Sequence, residues 1–248
     1  ILLWSGFMQK GRPHFPTTRM KSHFWRASIG VVSMELWFYS LTILPLTLAT
    51  ALSFTAPIFS TIFAILFLGE KAGVRRWSAM TAGFVGVLVI LRPESHGADP
   101  RALFVLLSSS MMAVAGVLVK SLTRTEKPET IVYYMALFMV LWSFVPAIPY
   151  WQAVTPYQWW LIFLIALFST AAHLMLSRAF ARADMVALMP LDFTRLLFVA
   201  VLAYVFFGET MDAHTLAGAL IIVASTVYIA RRETKKRGEP LAIPENMA

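Results

Sequence analysis

The sequence predicts an all-α integral membrane protein, built as an inverted-repeat bundle of transmembrane helices. Of its 248 residues, 58% are hydrophobic and only 14% are charged, and the mean hydropathy is +0.70. An average soluble domain is about 45–50% apolar and about 25% charged. The apolar residues form blocks of membrane-spanning length, Lys and Arg lie between these blocks, and one segment recurs in the opposite orientation.

Eight apolar blocks are long enough, or nearly so, to form transmembrane helices. An α-helix rises 1.5 Å per residue, so about 20 residues cross the roughly 30 Å hydrocarbon core of a bilayer. The blocks run over residues 25–44, 46–68, 74–91, 102–119, 131–150, 157–176, 185–207 and 211–230. Residues 1–8 look like the end of a further helix, so we expect the first part of the bundle to be incomplete.

The basic residues predict the orientation of the chain. Cytoplasmic loops of membrane proteins carry an excess of Lys and Arg. Here nearly all Lys and Arg residues outside the blocks fall in the first loop, the final tail and the loops on that same side. Because an even number of spans returns the chain to the side on which it starts, we predict a multi-pass protein of the inner membrane with both ends of this chain cytoplasmic.

Other classes of protein fit the sequence less well. The net charge of +8 could indicate nucleic-acid binding, but the basic residues border apolar blocks instead of covering a soluble surface. The chain has no cysteine, no Gly-x-Ser-x-Gly and no His-Glu-x-x-His motif. We therefore expect no nucleic-acid partner, no enzyme activity, no metal site and no cofactor. A membrane enzyme or a non-transporting scaffold is the alternative class.

An internal repeat predicts how the helices are arranged. The segment AILFLGE at 64–70 aligns with AYVFFGE at 203–209. The first copy ends on the cytoplasmic side and the second on the opposite side, because an odd number of spans separates them. Inverted repeats of this kind are typical of secondary transporters, whose substrate sites lie near the membrane midplane at the repeat interface.

Short motifs in both halves resemble one transporter family. FTAP at 54–57, LGE at 68–70 and LRP at 91–93 resemble the first half of the EamA family of the drug/metabolite transporter superfamily. MPLDF at 189–193 and FGE at 207–209 resemble its second half. The family has ten spans in two repeats. The resemblance therefore implies a first repeat over 1–93 that is truncated at its N-terminus, a second over 102–233, and a cytoplasmic tail over 234–248.

Three ionisable residues inside predicted spans are the first candidates for a functional site. A charge at the centre of a membrane helix costs roughly 2.5–3.5 kcal/mol on insertion scales, so it needs a partner, water or a role. Asp192 and Arg195 lie three residues apart on one helix face. They form either a buried structural ion pair or a site for an anionic substrate group. Glu35 is either a proton carrier or cation ligand in a cavity, or a buried partner of Arg195.

Four further residues are candidates for contact with a substrate. His173 could titrate near neutral pH or serve only in packing. Trp37 and Tyr39 could stack on an aromatic or cationic substrate or face lipid. Ser109 lies on a polar helix face, which either contacts the substrate or allows close helix packing.

Two prolines and two glutamates lie in the equivalent helices of the two repeats. Pro57 and Pro190 each remove a helical hydrogen bond, so they predict kinks that act as hinges or only shape the packing. Glu70 and Glu209 end their spans at opposite membrane faces. They are either gate charges or helix-end contacts, and the symmetry of the repeat favours helix-end contacts.

These features predict a secondary transporter that moves a small organic metabolite by alternating access, either coupled to protons or by exchange. The stretch at 190–198 looks similar to the branch of the EamA family that includes S-adenosylmethionine and riboflavin transporters. Export of amino acids or drugs is the alternative within the family. The expected partners are a small organic solute and the lipid bilayer, and a homodimer is compatible with the sequence.

Overall fold

The computed structural model describes residue 15 and residues 17–44, 46–91, 100–207 and 213–238, and all its elements are helices. The predicted helix end at 1–8, Glu209 and the tail beyond residue 238 lie outside the described residues. The helices are α1 (Met20–Ile43), α2 (Leu46–Ser53), α3 (Ala56–Leu68), α4 (Val74–Leu91), α5 (Ala102–Leu122), α6 (Pro128–Ala147), α7 (Pro156–Arg182), α8 (Met185–Leu188), α9 (Thr194–Phe207) and α10 (Ala213–Gly238). Short 3₁₀ turns at Ile148–Tyr150 and Met189–Phe193 follow α6 and α8.

The length and composition of the helices confirm the prediction of an all-α membrane protein. Within the described residues, five segments are long and apolar enough to cross a bilayer, and two shorter apolar helices accompany them. Helix α1 has 24 residues, about 36 Å, and is long enough to span. It is less apolar than these five segments because Arg26 and Glu35 lie within it.

Two of the predicted spans are broken helices. The span that begins at Leu46 is interrupted at residues 54 and 55, and Pro57 is the second residue of α3, directly after this break. The span that begins at Met185 passes through the 3₁₀ turn Met189–Phe193, which contains Pro190. Proline cannot donate a backbone hydrogen bond and clashes with the preceding turn. The alignment of the two repeats places Phe54 on Phe193, so the two breaks meet at equivalent positions.

The last helix of each repeat crosses the other at two glycines. A Cβ added to Gly86 would lie 2.9 Å from the carbonyl oxygen of Gly218, and a Cβ on Gly218 would lie 2.6 Å from that of Gly86. Small residues let two membrane helices approach until their backbones touch. Helices α4 and α10 therefore form a tightly packed interface between the two halves of the chain.

The main hydrophobic core lies where the two broken helices meet. It includes the fully buried rings of Phe54 and Phe193, together with Met80, Val186 and Ile222 from neighbouring helices. At the periphery, only 6% of the most apolar stretch of α7 is buried, against 28–39% for the other four segments of spanning length. The broken helices thus occupy the centre of the bundle, and α7 lies at its edge.

Candidate functional site

Asp192 and Arg195 lie at the centre of a spanning segment and are not enclosed by protein. Arg195 is halfway along the 22-residue segment Met185–Phe206. Its guanidinium lies 3.9 Å from the carboxylate of Asp192, and the two side chains are 57% and 42% exposed. The alternative of a buried ion pair therefore does not describe this geometry. Since a charge in contact with lipid tails is costly, we expect water or a ligand to reach the pair at this depth.

Two stacked aromatic rings, both buried in the main hydrophobic core, lie beside this pair. The rings of Phe54 and Phe193 stack with centroids 6.1 Å apart, and the guanidinium carbon of Arg195 lies 4.9 Å from the centroid of Phe54. The ring of Phe193 packs directly against Gly83. A Cβ atom at residue 83 would lie 2.4 Å from this ring and would clash with it. Arginine on an aromatic face gains a cation–π attraction that strengthens as water is removed. The two rings thus meet where the two broken helices come together, and the guanidinium of Arg195 lies over the ring of Phe54.

Glu70, at the end of the first broken helix, caps the second. Its two carboxylate oxygens accept hydrogen bonds from the backbone N–H groups of Met185 at 3.0 Å and Val186 at 2.8 Å. Asp184, the residue before α8, makes no side-chain cap of its own and instead lies 3.6 Å from Arg76. A carboxylate at a helix N-terminus satisfies free N–H groups and complements the helix dipole. The contacts of Glu70 are therefore helix-end contacts.

Glu35 lies apart from the charged pair. It is exposed on α1 and lines a cavity of about 500 Å³ between α1 and α6, together with Ser28, Val31, Val32, Leu141, Trp142 and Pro146. Within the described part of the chain it forms neither a hydrogen bond nor an ion pair, and Arg195 pairs with Asp192 instead. The structure therefore does not bring Glu35 and Arg195 together.

The other predicted site residues are dispersed over several helices. His173 is half-buried on α7, and Ser109 is buried on α5. Trp37 packs against the small apolar cluster of Leu44, Ala49 and Val105. Tyr39 is 51% exposed and meets the ring of Phe104 edge-on, with centroids 5.2 Å apart. These two aromatic residues thus lie toward the far end of α1, away from the stacked pair.

Sequence reasoning overlooked a cluster of polar contacts at the start of α1. The imidazole of His23 lies 2.5 Å from the carboxylate of Glu126, and both side chains are almost completely buried. The hydroxyl of Thr17 donates to the other oxygen of Glu126. Arg19 donates to the carbonyl oxygen and the hydroxyl of Ser121. Only the three-dimensional structure reveals this cluster, because its partners are about 100 residues apart in the sequence.

Arg26 is the second overlooked residue. The sequence places it with the basic residues of the first loop, but it lies inside α1 and is only 8% exposed. Its Nε atom is buried without a hydrogen-bond partner. About two turns further along α1, Ser33 exchanges hydrogen bonds with Ser108 of α5. Each hydroxyl donates to the other residue's carbonyl oxygen, at 2.8 and 2.7 Å. No sequence motif indicated that Arg26 was buried.

The described residues contain no group of three or more His, Asp or Glu side chains that could hold a metal ion. The pair of Asp192 and Arg195 instead places an exposed anion and an exposed cation together within a helical membrane bundle. Such a pair suits reversible binding of an organic molecule that carries charges of both signs.

The helical fold is that of a membrane protein that crosses the bilayer several times. The profile of the EamA-like transporter family matches residues 1–92 and 100–231. The chain belongs to this family, which confirms the resemblance carried by the short motifs. It is therefore a multi-pass membrane protein, and a transporter by family.

Several characterised relatives are similar along most of their length. The S-adenosylmethionine uptake transporter of Rickettsia bellii is 31% identical over 235 residues, which cover 95% of this chain and 81% of the relative. The riboflavin transporter of Rhizobium johnstonii is 32% identical over 230 residues, covering 92% and 75%. The pseudopaline exporter of Pseudomonas aeruginosa is 28% identical over 220 residues, covering 85% and 74%.

A solved structure shows the same fold. A crystal structure of another protein matches with a TM-score of 0.79, covering 96% of this chain and 85% of the other chain. The sequences are 15% identical. At this identity the likeness supports the fold and carries no information on the substrate.

The cap provided by Glu70 leads to a test of stability. Replacing Glu70 with Ala leaves the N–H groups of Met185 and Val186 without their acceptors, so we expect a loss of about 1–2 kcal/mol in the free energy of unfolding. Thermal unfolding of the purified protein, followed by circular dichroism, measures the change. The control is Glu129→Ala, which removes an exposed ion pair with Arg178 and should cost less than about 1 kcal/mol. Equal losses in the two variants would contradict the capping role.

Proposed function

We propose that the chain carries a small zwitterionic metabolite of the S-adenosylmethionine type across the cytoplasmic membrane by alternating access. The observation that carries this proposal is the exposed Asp192–Arg195 pair beside the stacked rings of Phe54 and Phe193. S-Adenosylmethionine combines an aromatic base, a sulfonium cation, an ammonium group and a carboxylate. Its charged groups find opposite charges in the exposed pair of Asp192 and Arg195.

The two charges of the site can exchange partners with opposite charges of such a solute. Asp192 attracts the ammonium or sulfonium group, and Arg195 attracts the carboxylate. The 3.9 Å separation of the pair is longer than a direct hydrogen bond. The side chains are therefore held only weakly to each other and are open to a ligand.

The names of the relatives support a solute of this size and chemistry. Two of the relatives described above are named for S-adenosylmethionine and riboflavin, both of which contain a fused aromatic ring system. Riboflavin is the second candidate, because a relative that is 32% identical is named for it. It carries no charge to match the Asp192–Arg195 pair, and for this reason we place it second.

Alternating access requires the two repeats to move about the site. We place the repeats at 1–93 and 102–233 and the tail from 234 on the cytoplasmic side with the chain's first residue, as the loop charges predict. Glu70 and Arg76 hold the start of α8 on that side. Opening toward the cytoplasm would break these contacts, while the breaks near Phe54 and Phe193 let each spanning segment bend.

Removing either charge of the central pair should abolish transport without unfolding the protein. We expect Asp192→Asn and Arg195→Gln each to reduce uptake of labelled S-adenosylmethionine into proteoliposomes at least about tenfold, because each loses one charge-assisted contact with the solute. Since the pair is exposed, unfolding free energy should change by less than about 1 kcal/mol.

The matched control for these two variants is Glu129→Gln. This variant breaks the exposed ion pair that Glu129, at the start of α6, forms with Arg178 at 2.7 Å. Uptake should persist in this variant. Normal uptake by Asp192→Asn and Arg195→Gln would contradict the proposed site, as would a large loss of stability that accounts for their inactivity.

Glu35 is proposed as the proton-coupling group, because it is an unpaired acid within a spanning helix that lines a cavity. Glu35→Gln should leave binding of the solute intact and remove the dependence of uptake on an imposed pH gradient. Uptake measured with and without the gradient tests this. A pH dependence equal to that of the unchanged protein would reject the coupling role.

A further inference from the structure

The short helix α8 closes the bundle on one side of the Asp192–Arg195 pair. Met185 and Val186 are only 1% and 0% exposed. A Cβ added to Gly116 of α5 would lie 2.9 Å from the terminal Cε atom of Met185, so α8 packs tightly against α5. Helix α8 begins on the side that the loop charges predict to be cytoplasmic. A solute held at the charged pair is therefore separated from that side by packed apolar side chains.

The turn between α7 and α8 is held at both of its ends by charged side chains from other helices. The ammonium of Lys120, near the end of α5, donates to the carbonyl oxygens of Phe180 and Ala183, both at 2.7 Å. The carboxylate of Glu70 accepts from the first two N–H groups of α8. The helix dipole favours a cation at a C-terminus and an anion at an N-terminus. We call Lys120 and Glu70 the clasp of this turn.

Arg124 connects the two members of the clasp. It lies one turn after Lys120, just beyond the end of α5, and its guanidinium donates to the carbonyl oxygen of Leu68 at 3.2 Å. Leu68 is the last residue of α3, which ends at Gly69 in the left-handed conformation with φ of 68°. Glu70 follows directly. The end of α5 thus contacts the C-termini of α3 and α7, and the clasp joins the two proposed repeats.

The clasp can open without leaving a buried charge. Lys120, Glu70 and Ala183 are half-buried, and the side chain of Asp184 beside them is 58% exposed. Water that enters when α8 moves can replace the hydrogen bonds of the clasp. A lysine near a membrane surface can extend its ammonium into water. These contacts are therefore suited to form in one conformation and to break in another.

We propose that residues 183–189 are the gate on the cytoplasmic side of the solute site, and that Lys120 is a positioning residue that holds this gate closed together with Glu70. This inference rests on the proposed transport function and assigns the structure to the state that is closed toward the cytoplasm. Lys120 does not touch the solute. It acts through the end of α7, which sets where α8 packs against Gly116. Opening moves α8 away from Gly116 while water replaces the bonds of the clasp.

Cysteine accessibility tests the gate, because the chain contains no cysteine. Val186→Cys places a single thiol inside the gate, and membrane vesicles are labelled with a charged thiol reagent that does not cross the bilayer. The buried thiol should react slowly in otherwise unchanged protein. Adding Lys120→Gln should raise the rate at least about tenfold from the cytoplasmic side, because the closed state loses two charge-assisted hydrogen bonds. Lys120→Arg, which keeps the cation, should raise the rate less.

Two controls separate opening of the gate from general loosening of the fold. Val87→Cys places a thiol at an equally buried position on α4, outside the gate, and should stay slow with or without Lys120→Gln. Lys21→Gln removes an exposed lysine at the start of α1 and should leave the labelling of Val186→Cys unchanged. The proposal is overturned if Lys120→Gln accelerates both cysteines equally or accelerates neither. Rapid labelling of Val186→Cys in otherwise unchanged protein also overturns it.

Vesicles of both orientations complete the test, and the labelling does not depend on the identity of the solute. The acceleration by Lys120→Gln should occur from the cytoplasmic side only, and equal acceleration from both sides contradicts a gate. If this pattern is found but S-adenosylmethionine is not taken up, the proposed substrate fails and the gate stands. If S-adenosylmethionine is taken up but Lys120→Gln leaves the labelling unchanged, the transport function stands and the gate fails.

Discussion

The electrostatic cost of placing a charge inside a membrane governs this structure. Each ionisable residue in a spanning helix needs water, a partner or a ligand. Asp192 and Arg195 are half-exposed, so we expect water or a ligand to reach them. Glu35 lines a separate cavity between α1 and α6. Among the described residues, Arg26 is a charged side chain that is buried without a hydrogen-bond partner for its Nε atom. The positions of these charges therefore define where water and solute can enter the bundle.

The two broken helices place the Asp192–Arg195 pair where the two halves of the chain meet. Repeat symmetry aligns Phe54 with Phe193, and the two rings stack where both helices lose their regular hydrogen bonding. Glu70, from the first repeat, caps α8 of the second. The close crossing of α4 and α10 joins the same two halves. The stacked Phe rings join the two halves at the centre, and the hydrogen bonds of Glu70 join them near one membrane face. This arrangement allows the two halves to tilt about the site.

The sequence predicted the fold more completely than the site. Hydropathy and spacing located the helices, because these features depend on local composition. The helix breaks could be predicted only in part from the sequence. Pro57 and Pro190 indicated kinks, but no pattern indicated that Phe54 and Phe193 would stack. Arg26 is the second residue of the predicted block 25–44, and it was counted with the basic residues of the loop before that block. Its burial results from the packing of α1 against α5 and α6, which local pattern cannot reveal.

The central claim is that the surface around Arg195 is aqueous, and cysteine labelling tests it most directly. The chain contains no cysteine, so Leu191→Cys, at an exposed position beside the charged pair, introduces a single reactive thiol. Thiolates form and react in water, not in lipid. A charged, water-soluble thiol reagent should therefore modify this residue in the membrane-embedded protein as fully as a lipid-soluble one. Modification by the lipid-soluble reagent alone would place this surface in lipid and contradict the account.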